Sequence, residues 1–201
     1  MSKKSANGSN RPRQILAQEA ARIIVDQGIR DFRSAKIKAA ERLRMSAHGA
    51  LPGNEEIEQA VSEHLQLFGR DSHAAFLAQM RKVALSAMEL LSIFTPRLVG
   101  PVLNGTADEN SPVTLHVFAD SPEQVAMRLA ELGVSYRLCE RRLKSRRDQT
   151  DVFAEFAFHH GDTSVAATVF PVVNIRQAPI SPINGKPMRR ANTKLVRDLL
   201  D

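Results

Sequence analysis

The spacing of apolar positions divides the chain into a helical first part and a mixed second part. Ile15, Leu16, Ala20, Ile23 and Ile24 recur at helical intervals, and Gly28 reads as a stop. Asp31 stands where it would cap a second helix with the stripe Phe32, Ala35, Ala39, Ala40 and Leu43. After a connector at 48–53, Asn54 reads as the cap of a third helix. Glu55 and Glu56 lie in its first turn, where negative charge suits the helix dipole, and Ile57, Val61, Leu65 and Phe68 form its face. Gly69 reads as its end. A fourth helix then runs from Asp71 or Ser72 to Pro96, carried by Phe76, Met80, Val83, Leu85, Ala87, Leu90, Leu91 and Phe94.

From Leu98 the period shortens to two. Residues 98–103 and 113–118 read as short strands around the loop Asn104-Gly105-Thr106. Asp120 or Ser121 caps a helix opened by Pro122, with Val125, Leu129 and Leu132 inward and Gly133 at its close. Residues 134–143, 152–158 and 164–170 alternate as strands, with His160-Gly161-Asp162 as a turn. From Pro171 the chain is proline-rich, and Asn192 or Thr193 starts a last short helix. Four helices, then ββαβββ, then a tail predict an α+β fold: an N-terminal helical region followed by a small mixed β-sheet with flanking helices. The expected divisions are a disordered basic arm (1–12), a helical region (13–95), an α/β core (96–170) and an extended proline-rich tail with a terminal helix (171–201).

Composition narrows the function. The 201-residue chain is 43% hydrophobic, enough for a core, and its formal charge of +6 points to polyanion partners or to ordinary solubility charge. The basic groups gather in the arm (Lys3, Lys4, Arg11, Arg13), at 137–147 and at 176–197. One Tyr and no Trp disfavour an aromatic platform for single strands. The single Cys139 excludes an internal disulfide and a cysteine zinc cluster, and reads as a small packing residue. No apolar run reaches the ~20 residues of a membrane span. MSKKSANGSN has no apolar signal region. The expectation is a cytoplasmic protein with no membrane partner.

The chain has no G-x-x-x-x-G-K-[ST], no G-x-G-x-x-G after a strand, no G-x-S-x-G and no H-E-x-x-H. Adjacent His159 and His160 would point to opposite strand faces, so they do not converge on a metal with Asp162. The first two helices faintly resemble a DNA-binding helix-turn-helix, though no recognition helix stands out.

What remains is Val102-Leu103-Asn104-Gly105-Thr106, followed by Ser111-Pro112-Val113-Thr114-Leu115-His116-Val117. A helix, strand, Gly-hydroxyl loop, strand, helix and further strands, in that order, resemble the nucleotidyltransferase superfamily of the DNA polymerase beta-like fold. The resemblance covers roughly residues 75–170. It implies that the Gly-hydroxyl pair binds phosphate through backbone amides. It also implies two strand acids that hold Mg²⁺, with a third acid on a later strand. Here Pro112 and Thr114 occupy the two acid positions, and neither can hold a hard cation. Thr114 and His116 would face the side that carries the metal acids. His116 is either a functional acid–base group or a buried structural histidine.

The resulting expectation is a non-catalytic or atypical module for a nucleotide or other phosphate-bearing ligand. Its candidate residues are Asn104, Gly105, Thr106, Ser111, Thr114 and His116, with Arg176, Lys186, Arg189 and Arg190 brought in by the tail. A first alternative is an RNA- or DNA-associated protein using the arm, the tail and Arg141, Arg142, Arg146 and Arg147. A second is an active transferase with relocated acids among Asp108, Glu109, Asp120 and Glu155. No cofactor is expected, except Mg²⁺ in that second alternative.

Overall fold

The computed structural model describes residues 10–29, 31–45, 51–146 and 149–200. Arm residues 1–9, the connector residues 48–50 and Arg147 lie outside the described residues, as does the Phe68 side chain. The chain divides into two compact units, 1–73 with 182–184, and 74–181 with 185–201.

The first unit holds α1 (Asn10–Gln27), α2 (Phe32–Arg42) and the first part of α3 (Asn54–Leu90). α1 begins inside the expected arm, since Asn10, Arg11 and Pro12 are helical; proline is tolerated in a first turn, where its missing N–H has no helical partner. Asp31 caps α2 as expected, accepting from the Arg33 and Ser34 amides. The core is small-residue packing: Ala17, Ala20, Ala21, Ala35, Ala39 and Ala40 mesh with Leu16, Ile23, Ile57 and Val61.

Two expectations about α3 are corrected. Asn54 is its first residue and not its cap; the Gly53 N–H is instead taken by the Glu56 carboxylate at 2.6 Å. The backbone then continues helically through Gly69, so the third and fourth expected helices are one of 37 residues. A helical glycine costs only about 1 kcal/mol relative to alanine, which a long run of helix formers on either side outweighs.

The second unit is a five-stranded mixed sheet with helices on one face. β1 (Arg97–Val99) leads into a helical turn, α4 (Pro101–Asn104), and then β2 (Val113–Phe118), α5 (Pro122–Glu131), β3 (Tyr136–Arg146), β4 (Gln149–His160), β5 (Thr163–Phe170) and α6 (Thr193–Arg197). The strand order is β1-β2-β5-β4-β3. β2 and β5 run parallel, and the other neighbours are antiparallel. The expected strand at 98–103 therefore stops at Val99. Gly100 has φ 73°, which ends the extended run, and Pro101 presets the helical turn that follows.

Alternation assigns each strand face. Val113, Leu115 and Val117 of β2 join Val165, Ala167 and Val169 of β5 in a core closed by Leu77, Met80, Ala84 and Met88 of α3 and Val125 and Leu129 of α5. Thr114, His116 and Phe118 point to the opposite face. The tail covers that face: Ile180 donates to Lys144 O of β3, and Ala191 pairs with Leu98 at the β1 edge. No helix is long and apolar enough, among the described residues, to cross a membrane.

Leu115 is fully buried at the centre of β2, whereas Leu138 of edge strand β3 is 60% exposed. Leu115→Ala should cost about 2–5 kcal/mol in urea unfolding and Leu138→Ala under about 0.5 kcal/mol. The two residues share a face of the sheet, so equal costs would contradict the burial of its centre relative to its edge.

Candidate functional site

The face of the sheet away from the helices is built by register. Arg97, His116, Thr168 and Glu155 stand opposite one another across β1, β2, β5 and β4, and Phe118 pairs with Phe170. Directly opposed residues share a face, so this row of polar groups points toward the tail. Cys139 of β3 continues it, and is only partly buried.

Arg190 closes the row from above. Its Nε donates to His116 Nδ1 at 3.0 Å, and Nη1 donates to Asn174 O at 2.9 Å and to Gln177 O at 3.3 Å. The guanidinium lies 5.0 Å from the ring centroids of both Phe118 and Phe170, a distance at which a cation is attracted to an aromatic face. One tail residue thus holds the 3-10 turn Val172–Arg176 down on the sheet. Its Nη2 is buried without a hydrogen-bond partner. Burial, then the neighbouring Arg97, pull its pKa down to about 10, which leaves it charged at neutral pH.

His116 is 1% exposed, and its ring sits 4.5 Å from that of Phe170. Because arginine only donates, Nδ1 must accept, and the proton of the neutral ring is on Nε2. Burial, then Arg190 and Arg141, lower its pKa to about 3. It is therefore a neutral acceptor that seats Arg190, without the near-neutral titration needed in a general base.

Glu155, one of the acids considered for a relocated metal site, has a side chain only 14% accessible; it accepts from Thr168 Oγ1 at 2.9 Å and faces Arg141 Nε at 3.9 Å. Arg141 is itself 55% accessible.

The expected phosphate loop has a different form. Asn104 ends α4, and Gly105, with φ 84°, is the left-handed residue that caps it. The Gly105 and Thr106 amides both donate to Pro101 O, at 2.8 and 3.0 Å. The amides that would cradle a phosphate are spent on closing a helical turn. Ser111 donates to Asp108 Oδ1 at 2.7 Å and accepts from the Asp108 amide, a closed local turn. A Cβ added to Gly105 would meet Leu77 and Arg81, so this loop lies against α3.

Thr114 stays on the His116 face, beside Gly100. Arg176, Lys186 and Arg189 are exposed. Arg189 is near enough to Arg81 to help lower its pKa, after burial. Arg190 alone of the four tail residues joins His116. Of the two positions expected to start α5, Ser121 holds the N-cap, and the Asp120 amide donates to Gln124 Oε1. His159 and His160 diverge as expected, toward Ser164 and Ser86. Among the described residues, no three His, Cys, Asp or Glu side chains are grouped as a metal would require.

The sequence pattern does not single out Thr168, Phe170, Arg97 or the carbonyls of Asn174 and Gln177; alternation puts Phe118 on the His116 face without marking it as a site residue. No family model, curated protein or solved structure matches the chain.

The depressed His116 pKa has a definite sign. An unfolded histidine takes up a proton below about 6.5 and the folded one does not, so stability is present above pH 6.5 and is lost as pH falls toward 3. The slope should approach about 1.4 kcal/mol per pH unit. Urea unfolding at pH 7 and 5 checks it: the drop should shrink in His116→Asn, which keeps an acceptor and does not titrate.

Proposed function

We propose that this chain is a binding module for a phosphate-bearing ligand, built on a nucleotidyltransferase-like sheet and using fixed arginines where that family uses metal ions. One observation carries the reading. Arg97, Arg137, Arg141 and Arg190 share the tail-facing side of the sheet with only Asp151 and Glu155 among its described carboxylates, and Arg190 keeps a buried unbonded N–H there. An excess of guanidinium charge at a partly dry surface is relieved by a multivalent anion, and arginine's planar fork suits phosphate. Arg141, more than half accessible, is the contact residue of this site; Arg190 positions the surface. The order helix, strand, glycine turn, strand, helix, further strands supports the architectural part of the reading.

The module works by charge placement. His116 is sealed and Glu155 is engaged by Thr168, which leaves binding as the chemistry these groups perform. The loop at Gly105 has no part in it. Pyrophosphate or ATP at about a hundredfold above Kd should raise the melting temperature by about 5–10 °C. Arg141→Ala should remove most of that shift, and Gly105→Ala should leave it in place at a lower starting temperature. No shift with either probe at millimolar concentration would refute the reading.

Strand β3 favours a second reading. Arg137, Arg142, Lys144 and Arg146 are exposed along its 11 residues at the outer edge of the sheet. Such a strand can lie along a nucleic-acid backbone through phosphate contacts. Binding to duplex DNA or RNA would then weaken with salt, and neutralising Arg142, Lys144 and Arg146 together should lower the log–log salt slope by about 2–3. An unchanged slope would remove this reading.

A further inference from the structure

Between the β3–β4 hairpin and the tail lies a cavity of about 140 Å³. It is well below the ~300–1,000 Å³ of a site that swallows a whole small ligand. At ~30 Å³ per water it has room for one compact group. Its apolar surface includes Phe153 and Phe170, whose ring centroids are 4.4 Å apart and whose planes are tilted by 39°. Gln149, Asp151, Asn174 and Gln177 supply polar lining. Asp151 is held ionised below the usual carboxylate range by hydrogen bonds from Ser145 and Gln149, after which burial opposes and Arg146 assists. The cavity therefore combines an aromatic surface, a charged acceptor and amide groups that both donate and accept.

Resting on the phosphate-ligand reading above, we infer that this cavity is a subsite for a nucleobase, and that the ligand is a nucleotide whose phosphate lies outside the cavity on the arginines. A bare phosphate would leave the phenylalanine surface unused, and an aliphatic group would make no use of the further hydrogen-bonding capacity of the carboxylate and amides. A heteroaromatic ring meets both: its face stacks on a phenyl ring and its edge exchanges hydrogen bonds with carboxamides and a carboxylate. The volume limits the occupant to the ring, so the sugar and phosphate must project from the mouth. The cations are placed to receive them. Arg146 lines the cavity, Arg141 is paired in register with Phe153, and Arg190 lies over Phe170 and binds the carbonyls of Asn174 and Gln177. Arg190 thus ties the shape of the base cavity to the charge of the phosphate surface.

Isothermal titration calorimetry of the full chain tests this with four probes: a nucleoside 5′-monophosphate series, the matching nucleosides, ribose 5-phosphate and inorganic phosphate. At least one monophosphate should bind about five- to 150-fold more tightly than ribose 5-phosphate, the range for one base–aromatic stack. Phe153→Leu, which keeps apolar bulk without the ring, and the exposed-site variant Gln177→Ala should each narrow that gap while leaving ribose 5-phosphate binding unchanged. Equal binding of every monophosphate and ribose 5-phosphate overturns the base subsite and leaves the phosphate reading standing. Nucleosides that bind while ribose 5-phosphate and phosphate do not would overturn the phosphate reading alone. Silence from all four probes overturns both. A 5′-phosphorylated RNA tetranucleotide separates the two sources of the same chemistry: binding as tight as the monophosphate assigns a strand end, and weaker binding assigns a free nucleotide.

Discussion

The second unit depends on a partly buried guanidinium that, among the described residues, has no carboxylate as its direct partner. Arg190 is held by a neutral imidazole, by backbone carbonyls and by two aromatic faces. Each is a weak partner for a cation in isolation. Together they replace much of the water that a buried charge loses, which a single unpaired contact could not do. The arrangement keeps a net positive charge under the surface. A carboxylate in the place of His116 would have neutralised it.

The sheet supplies the precision for this. β2 pairs in parallel with β5 over the whole of its own length, so His116 meets Thr168 and Phe118 meets Phe170 without a shift. β4 then brings Glu155 against Thr168, where its carboxylate accepts the hydroxyl proton and remains available to Arg141. The polar row is therefore a consequence of register, and a slip of one residue would turn it into the apolar core and expose Val113, Leu115 and Val117. Strong burial on the helix side fixes the polar side.

Much of this was legible in the chain. The period-two pattern gives β2 and β5 and separates His116 from Leu115; Asp31 is found as a cap, and Asn192, one of two residues read as the start of the last helix, caps it. The return of the tail to the sheet was legible in part: Arg190 joins His116, whereas Arg176, Lys186 and Arg189 stay exposed. The loop at Gly105 was not. Gly-hydroxyl between apolar runs fits a phosphate cradle and a helix C-cap equally well, and the deciding signal was the neighbouring Gly100-Pro101 pair, which opens a helical turn. The continuity of α3 across Gly69 was hidden for a related reason: glycine marks ends by its conformational freedom, and it does not have to use that freedom. Glu155 and Thr168 could not be paired in advance, because cross-strand register is a property of the whole sheet.

The distance between His116 and Arg190 along the chain, 74 residues, carries a kinetic consequence. During synthesis, β2 exists well before the residue that covers it. Until the tail emerges, His116 and the surrounding phenylalanines face solvent, and the imidazole has an ordinary affinity for protons. Closing so long a loop is slow compared with helix formation, and this contact becomes available late, beside the Leu98–Ala191 pairing. The polar face therefore waits for the tail, as does the part of the apolar core made by Ala191 and Val196, and a half-made chain at mildly acidic pH would carry an extra positive charge at the very place where the finished protein seats its arginine.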